Sequence, residues 1–415
     1  MSDPAIPKAQ PHAKPAASRQ APAVSILWLT FAGASSPFGF NFIGPVLPAL
    51  QAEFALPAAQ VQWLVSVYSL MLGLGQLLMG PISDAYGRRR VLLGGLILMT
   101  LGSLGAMLAQ SLEQVLWCRF LQGLGACTSL VVPRAVVRDI YSRADDVARA
   151  IAIITIALSV TPAIAPLIAG ALLSWFSWRS GFAACAVLGI VSLLLALRHH
   201  PETLEHEKRA PLRPLGLIRA YLQIGGSLRF LSYTFTYSLL NTGVIGFLVV
   251  GPATLAKMYG YAAWGMAVAL LTVYAGFACG NLYAARHIKR TGVNRMLATG
   301  IAVGLVGAFG FLATAHFATS IVAVMLPLFV NSVGNGLAFP SGIAGAVGLN
   351  PTRAGTAAAL VGATQLTLCA GVAVLCGAVA DGSMRPLAWL VIIAALLALL
   401  CSLPVFLARK APASH

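Results

Sequence analysis

Twelve long apolar segments fill most of this chain and restrict what it can fold into. Its 415 residues are 59% hydrophobic and only 9% charged, and the mean hydropathy is +0.85. Soluble domains contain about 25% charged residues, so this composition excludes an ordinary soluble domain. A helix needs about 20 mostly apolar residues to cross a bilayer, so we predict an all-α polytopic membrane protein. The predicted spans, numbered 1 to 12 in chain order, lie near residues 24–50, 61–81, 91–109, 114–137, 148–173, 179–198, 228–250, 262–285, 294–313, 318–345, 354–380 and 384–408.

The positive charges predict the orientation of these spans. Of the 27 Lys and Arg residues, 23 lie in the tails and loops of one side, and only Arg179, Lys257 and Arg385 lie on the other. The remaining cation, Arg119, is inside a span. Because cytoplasmic loops are enriched in Lys and Arg, we expect both termini in the cytoplasm and the chain in the inner cell membrane. Loop clustering also explains the net charge of +16 without nucleic acid as a partner.

A long polar stretch in the middle divides the spans into six and six. The loops after spans 2 and 8 are similar at an offset of 200 residues, which indicates a degraded parallel repeat. Two repeated halves are typical of transporters that bind their substrate between the halves, near the membrane midplane. The predicted organisation is a disordered tail (1–23), a six-helix bundle (24–198), a linker (199–227), a second six-helix bundle (228–408) and a short tail (409–415).

A charged motif with two glycines follows span 2. Its members are Gly80, Asp84, Gly87, Arg88 and Arg89. The glycines permit close helix approach and a tight turn. A loop that only sets topology explains the arginines, but it does not explain an acid between two glycines. Candidate members of a charge cluster with Asp84 are Arg88 and, at the end of span 4, Arg138 and Asp139.

Two further motifs lie inside spans 4 and 5. Arg119, followed one turn later by Gln122, lies about 8 Å inside span 4 at 1.5 Å per residue. A charge at that depth needs water, a partner or a ligand, so we favour a functional role over snorkelling to the interface. Span 5 contains Pro162, Pro166 and Gly170. Proline and small residues suit a helix that bends and packs closely against a neighbour.

These motifs resemble those of the major facilitator superfamily. The first resembles its loop Gly-x-x-x-Asp-x-x-Gly-Arg-Arg, the second its Arg-x-x-x-Gly-x-Gly pattern, and the third its antiporter pattern Gly-Pro-x-x-Gly-Gly. The combination is most similar to the twelve-span drug:proton antiporters of the bicyclomycin and chloramphenicol resistance type. The resemblance implies a monomer of two pseudo-symmetric six-helix bundles, joined on the cytoplasmic side by a charged latch that breaks as the bundles rock.

The resemblance also implies that spans 1, 4, 7 and 10 line a central cavity. Their polar residues, the candidate substrate contacts, are Asn41, Arg119, Gln122, Tyr233, Tyr237, Asn241, Asn331 and Asn335. Steps of four residues put the members from span 7, and those from span 10, on one helical face each. Amides and phenols suit an amphiphilic organic molecule. A single Asn is more often a contact between helices, so the prediction rests on the stripes.

No acidic residue falls in the middle of a span. Asn41 stands where relatives often have Asp, and an amide cannot carry a proton. Glu53 and Asp381 lie near the outer face and serve as carriers only if the cavity reaches them. With Arg119 as the one cation of the cavity, we expect a substrate that is anionic, or neutral with strong acceptors.

The sequence therefore predicts a secondary active exporter of small organic molecules that works by alternating access and is driven by protons. The alternative is uptake or facilitated transport of an organic anion by the same fold. A membrane enzyme or receptor would need a catalytic motif or a soluble domain, and the sequence contains neither. The seven cysteines lie in apolar segments without metal-ligand spacing, so we expect no metal and no cofactor.

Overall fold

The structure, a computed structural model, describes residues 24–407 apart from 142, 200, 205, 210, 213, 261–262 and 318–319. The two predicted tails lie outside the described residues. Within the described part, eleven helices are long and apolar enough to cross a membrane, and one bent pair makes a twelfth span. In order, the spans are Val24–Asn41 with Ile43–Glu53, Trp63–Tyr86, Arg88–Leu108, Leu112–Ile140, Ala144–Trp175, Arg179–His199, Leu228–Leu240 with Thr242–Tyr259, Ala263–Thr291, Val293–Phe317, Ile321–Gly348, Ala354–Val379 and Arg385–Leu407. This confirms the twelve predicted spans.

Two short helices lie between spans. Ala58–Val61 precedes span 2, and Pro214–Gly225, which we call the linker helix, precedes span 7. The side of the molecule where residues 24 and 407 lie is called the terminal side, and the other is called the opposite side.

Span 1 bends by 41° between its two helices. The break follows Asn41, and four residues later Pro45 has no N–H to donate to the Asn41 carbonyl oxygen. The missing bond of the helical ladder accounts for the bend at this point.

Most helix contacts lie within spans 1–6 or within spans 7–12. Between these halves, span 2 packs along span 11, span 5 along span 8, and the second helix of span 1 against span 7. Glycines bring neighbouring spans close together: a Cβ at Gly125 would lie 2.4 Å from the carbonyl oxygen of Gly95. Small residues at such contacts are typical of packing between membrane helices.

Large apolar side chains cover the outside of the bundle. Leu101, Val306 and Leu397 are 56%, 68% and 44% exposed on spans 3, 9 and 12. A soluble protein rarely exposes so much apolar surface, whereas a bilayer covers it. The fold is the predicted pair of six-helix bundles.

Candidate functional site

Arg119 is completely buried in the first half, where its guanidinium joins three spans. Nη1 donates to the carbonyl oxygen of Gly39 at 2.7 Å, and Nε donates to that of Leu64 at 3.1 Å. Nη1 also donates to Gln122 Oε1 at 3.0 Å. The side chain does not snorkel to an interface; it lies about 10 Å inside span 4 and ties that span to spans 1 and 2.

Neutral groups surround this buried charge. The guanidinium lies over the ring of Tyr68, 4.1 Å from its centroid, and Gln122 Nε2 donates to Ser103 Oγ at 2.8 Å. Nη2 of Arg119 has no hydrogen-bond partner among the described residues. Since every contact shown for the guanidinium is to a neutral group, the interior next to Arg119 carries a net positive potential.

Three predicted residues of spans 7 and 10 contact neighbouring spans inside the second half. Asn335 Nδ2 donates to Asn241 Oδ1 at 2.7 Å, and Asn241 Nδ2 points to Cys369 Sγ at 3.7 Å. One turn before Asn241, the hydroxyl of Tyr237 lies 3.4 Å from the carbonyl oxygen of Val361. The predicted residues are buried. Asn241 and Asn335 connect spans 7 and 10, and Tyr237 and Asn241 each contact span 11.

The other two residues of these stripes contact span 9 instead. Tyr233 donates to Asn294 Oδ1 at 2.5 Å, and Asn331 Nδ2 donates to the carbonyl oxygen of Gly304 at 2.9 Å. Asn331 Oδ1 has no partner within the described chain. Residues four apart share a helical face, but a wide face contacts more than one neighbouring helix, so members of one stripe have different partners.

Asn41 connects the two halves. Its Nδ2 donates to the carbonyl oxygen of Pro37 at 2.7 Å, and its Oδ1 accepts a hydrogen bond from the hydroxyl of Tyr274 on span 8. Both side chains are buried. In this conformation, the residue predicted to contact substrate instead contacts the other half.

Further hydrogen bonds join the halves on the opposite side. Gln62 Nε2 donates to the carbonyl oxygen of Val249 at 3.1 Å, and Ser66 Oγ donates to that of Ala370 at 3.0 Å. These bonds use span 2 on one side and spans 7 and 11 on the other. The opposite side is therefore held together by polar contacts to backbone carbonyls.

The charged motif after span 2 forms a compact ion cluster on the terminal side. Arg88 Nη1 lies 2.5 Å from Asp84 Oδ1, and Arg88 Nε lies 3.0 Å from Asp139 Oδ2. Arg88 Nη1 also donates to Ser83 Oγ at 2.6 Å. The predicted partners Arg88 and Asp139 are thus brought to Asp84, whereas Arg138 is exposed on the same span end. The cluster joins spans 2, 3 and 4 of one half; the predicted latch would also bind the other half.

Glu202, at the start of the linker, binds the first turn of span 3. Its Oε1 accepts from the backbone N–H of Arg88 at 2.8 Å and its Oε2 from that of Arg89 at 3.3 Å. A carboxylate at a helix N-terminus is stabilised by the helix dipole. Gly87 has φ +99°, and a Cβ there would lie 2.4 Å from Glu202. The glycine is therefore required both by its backbone conformation and by the carboxylate beside it.

The remaining predicted gating residues have less demanding surroundings. A Cβ at Gly80 would meet only Val131, at 4.0 Å, so packing does not require glycine there. Pro162, Pro166 and Gly170 lie inside span 5, which packs against spans 1 and 8. These prolines therefore lie on a span that contacts both halves.

The acids of the described chain lie away from the middle of the spans. Glu53 forms an exposed ion pair with Arg179 at 3.0 Å. Asp381 lies in the loop between spans 11 and 12, where its Oδ1 accepts from the backbone N–H of Ser383 at 2.7 Å. Hydrogen bonds from Ser383 hold the pKa of the Asp381 carboxyl below its usual value. A carboxylate that stays ionised at neutral pH is a poor proton carrier.

Sequence reasoning missed several residues of these sites. Tyr274 is a phenol near the middle of an apolar span, and a buried Tyr hydroxyl needs a partner, which is the signal that could have found it. Glu202 lies in the predicted linker, and the sequence has no pattern that shows its position beside the first turn of span 3. Tyr68 and Ser103 lie inside spans 2 and 3, and no sequence pattern distinguishes them from the other polar residues of these spans.

Comparisons with known proteins agree with this geometry. A sequence model of the Major Facilitator Superfamily matches residues 29–373, most of the chain. The chain belongs to this superfamily. The Bicyclomycin resistance protein homolog of Haemophilus influenzae is 25% identical over 352 residues, which cover 83% of this chain and 86% of that protein. The Chloramphenicol resistance protein of Pseudomonas aeruginosa is 29% identical over 314 residues, which cover 75% of this chain and 74% of that protein.

The fold comparison gives the same superfamily architecture. The xylose transporter XylE from E. coli, in a partially occluded inward open conformation, matches with a TM-score of 0.73 at 12% identity, covering 94% of this chain and 98% of that one. The resemblance predicted from the motifs is confirmed. This major facilitator protein is a multi-pass membrane transporter with drug-resistance relatives, and it is not an enzyme.

Proposed function

We propose that this major facilitator transporter exports small organic or amphiphilic molecules from the cytoplasm in exchange for protons. It works as a monomer in the inner membrane, with the terminal side in the cytoplasm. The resistance proteins among its relatives and the proline-containing pattern of span 5 support export. The excess of Lys and Arg on the terminal side supports the orientation.

The way in which the halves are joined carries the proposal of alternating access. Each half has its own dense contacts. Gln62 and Ser66 donate hydrogen bonds to the other half on the opposite side, and Asn41 accepts one from Tyr274 further inside. Such bonds can exchange for water when the halves rotate, at a cost of about 1 kcal/mol each. Rocking of one bundle against the other then exposes the interior to each compartment in turn.

The charge of the interior supports a substrate that is anionic, or neutral with strong acceptors. Arg119 is buried among neutral groups, and the described acids lie at or beyond the span ends. At low dielectric an uncompensated guanidinium attracts an anion and repels a cation over several ångströms.

Uptake of an organic anion by the same fold is the second candidate function. The specific observation in its favour is Asn41, an amide at a position where relatives often carry a titratable Asp. Without a carboxylate near the middle of any described span, coupling to protons would depend on another group or on the substrate itself.

Counterflow in proteoliposomes tests both candidates. Purified protein is reconstituted, and the entry of matched anionic, neutral and cationic aromatic compounds is measured with and without an imposed pH gradient. Export coupled to protons predicts accumulation that depends on the gradient and reverses with its sign. Anion uptake without protons predicts counterflow that is unchanged by the gradient.

Variants at Arg119 test the charge argument within the same assay. Arg119→Gln is expected to reduce counterflow of the anionic compound of the order of tenfold more than that of the neutral one. Arg119→Lys keeps the charge and preserves the preference, even if its activity is lower. Arg90→Gln removes an exposed charge and serves as the control. Equal loss for anionic and cationic compounds in Arg119→Gln would show that Arg119 is structural.

A further inference from the structure

The linker helix carries a stripe of exposed apolar side chains. Leu215, Ile218 and Leu222 are 83%, 53% and 70% exposed and recur at intervals of three and four residues, so they lie on one helical face. The other face is packed: Ile224 is buried in the main core. A helix with both faces apolar needs a second covering surface besides the protein.

A hydrogen bond places this helix beside the apolar part of span 2. The hydroxyl of Tyr221 donates to the carbonyl oxygen of Leu77 at 2.9 Å. Leu77 lies about 14 Å before the end of span 2 at Tyr86, at 1.5 Å per residue. Leu78, the next residue along span 2, is 50% exposed. The linker helix is therefore within reach of the apolar part of span 2, so its exposed stripe can meet acyl chains near the membrane surface.

The charge around the helix selects the kind of lipid. Arg219 is exposed one turn after Leu215, beside the stripe, and Arg229 is exposed at the start of span 7. The sequence contains no acidic residue between Glu207 and Asp381, and Asp381 lies on the opposite side. The terminal side of the second half is thus basic without internal compensation, which attracts anionic headgroups.

The linker helix also bridges the two halves. Tyr221 bonds to span 2 of the first half, while Gln223 Oε1 accepts from Arg353 Nη1 at 2.8 Å, just before span 11 of the second. The helix thus connects span 2 with the start of span 11, and these two spans pack along each other between the halves.

We propose that the linker helix is a binding surface for anionic phospholipid: acyl chains cover Leu215, Ile218 and Leu222, and Arg219 contacts the headgroup phosphate. An interfacial helix with an apolar stripe beside basic residues binds in this way. Lipid bound here stabilises the bridge between spans 2 and 11 on the terminal side. The lipid is therefore a regulator of closure on that side, distinct from the transported molecule.

Site-specific photo-crosslinking identifies what covers the stripe. A photoreactive phenylalanine analogue replaces Leu222 in the full chain, which is reconstituted in phosphatidylcholine vesicles with 30% phosphatidylglycerol. Adducts are identified by mass spectrometry. The same analogue at Leu397, an exposed residue of span 12, measures the bulk lipid composition. At Lys289, an exposed residue near the end of span 8, it measures the lipid composition at another site of the terminal side.

We expect lipid adducts at position 222, with phosphatidylglycerol enriched about fivefold over position 397. Arg219→Gln should remove most of this enrichment, and Arg286→Gln, the same charge change at another exposed site of the terminal side, should leave it unchanged. Peptide adducts from this chain or a second copy, a lack of adducts, or equal lipid composition at 222 and 397 would each overturn the proposal. Because the readout requires no transport, it stands or falls independently of the proposed export.

Discussion

Gly87 shows how a single residue combines two constraints. Its φ of +99° is unfavourable for any residue with a side chain, and the carboxylate of Glu202 occupies the space where a Cβ would be. Gly292, in the corresponding loop of the second half, has φ +82° and open space around it. The pair therefore compares a positive-φ glycine beside a carboxylate with a positive-φ glycine that has no such neighbour.

Gly87→Ala is expected to lower the free energy of unfolding by about 2 kcal/mol, and Gly292→Ala by about 1 kcal/mol. Both variants place a Cβ on a residue with positive φ, which strains the backbone. Only Gly87→Ala also displaces Glu202 from the N–H groups of Arg88 and Arg89. Thermal unfolding of the two purified variants in the same detergent measures the difference. Equal melting temperatures would show that the Glu202 contact contributes nothing.

Arg119 shows what residue-level reasoning can and cannot predict. A buried Arg in a membrane span marks a special environment, and the sequence predicted that much. The carbonyl oxygens of Gly39 and Leu64 that accept its hydrogen bonds are backbone atoms. Because every residue has a backbone carbonyl, no sequence pattern predicts which ones bind Arg119. The acceptors of Gln62 and Ser66 are also backbone carbonyl oxygens, so they could not be predicted from the sequence either.

At the scale of helix ends, the ion cluster of spans 2, 3 and 4 has unequal members. The Arg88 side chain is 9% exposed, that of Asp139 is 18% exposed and that of Asp84 is 48% exposed. A charge-assisted hydrogen bond in a shielded place is worth more than an exposed ion pair, which water and salt screen. The bond between spans 3 and 4 should therefore dominate the stability of the cluster.

We expect Asp139→Asn to lower stability by about 1–3 kcal/mol and Asp84→Asn by less than about 1 kcal/mol. The measurement is thermal unfolding at low and high salt, where the Asp84 effect should fade first. Asp146→Asn, the same change at an exposed position in the first turn of span 5, is the control. A larger effect at Asp84 than at Asp139 would contradict the ranking.

Hydropathy predicted the spans well because a bilayer demands the same length and apolarity of each one. It did not predict the linker helix Pro214–Gly225, because this helix is too short to span a membrane. Its few apolar residues also cannot be distinguished in the sequence from scattered surface leucines. It also could not show that span 1 bends after Asn41, since proline is common in membrane helices and bends only some of them.

At the scale of the whole molecule, the repeated halves were visible in the sequence, but the way they meet was not. Contacts between halves join residues far apart in the chain, such as Asn41 with Tyr274, and a repeat constrains only each half internally. The candidate lining residues were therefore found by type and span, while their actual partners depend on how the bundles are rotated.

The opposite side must open if the halves alternate, and a crosslink there tests this. A Cβ at Gly377 on span 11 would lie 3.1 Å from Gln62 Cβ, close to the separation of about 3.8 Å found in disulfides. Oxidation of the double variant Gln62→Cys/Gly377→Cys should abolish transport, and a reductant should restore it. The fraction of crosslinked protein and the counterflow rate are measured on the same samples.

The matched control is a crosslink that stays inside one half. A Cβ at Gly105 would lie 2.9 Å from Cys118 Sγ, so Gly105→Cys can form a disulfide between spans 3 and 4 with the native cysteine. Because spans 3 and 4 move together as parts of one bundle, this crosslink should leave transport intact. If the crosslinked double variant transported as fast as its reduced form, separation of the halves at this point would not be part of the cycle, and alternating access as proposed here would be wrong.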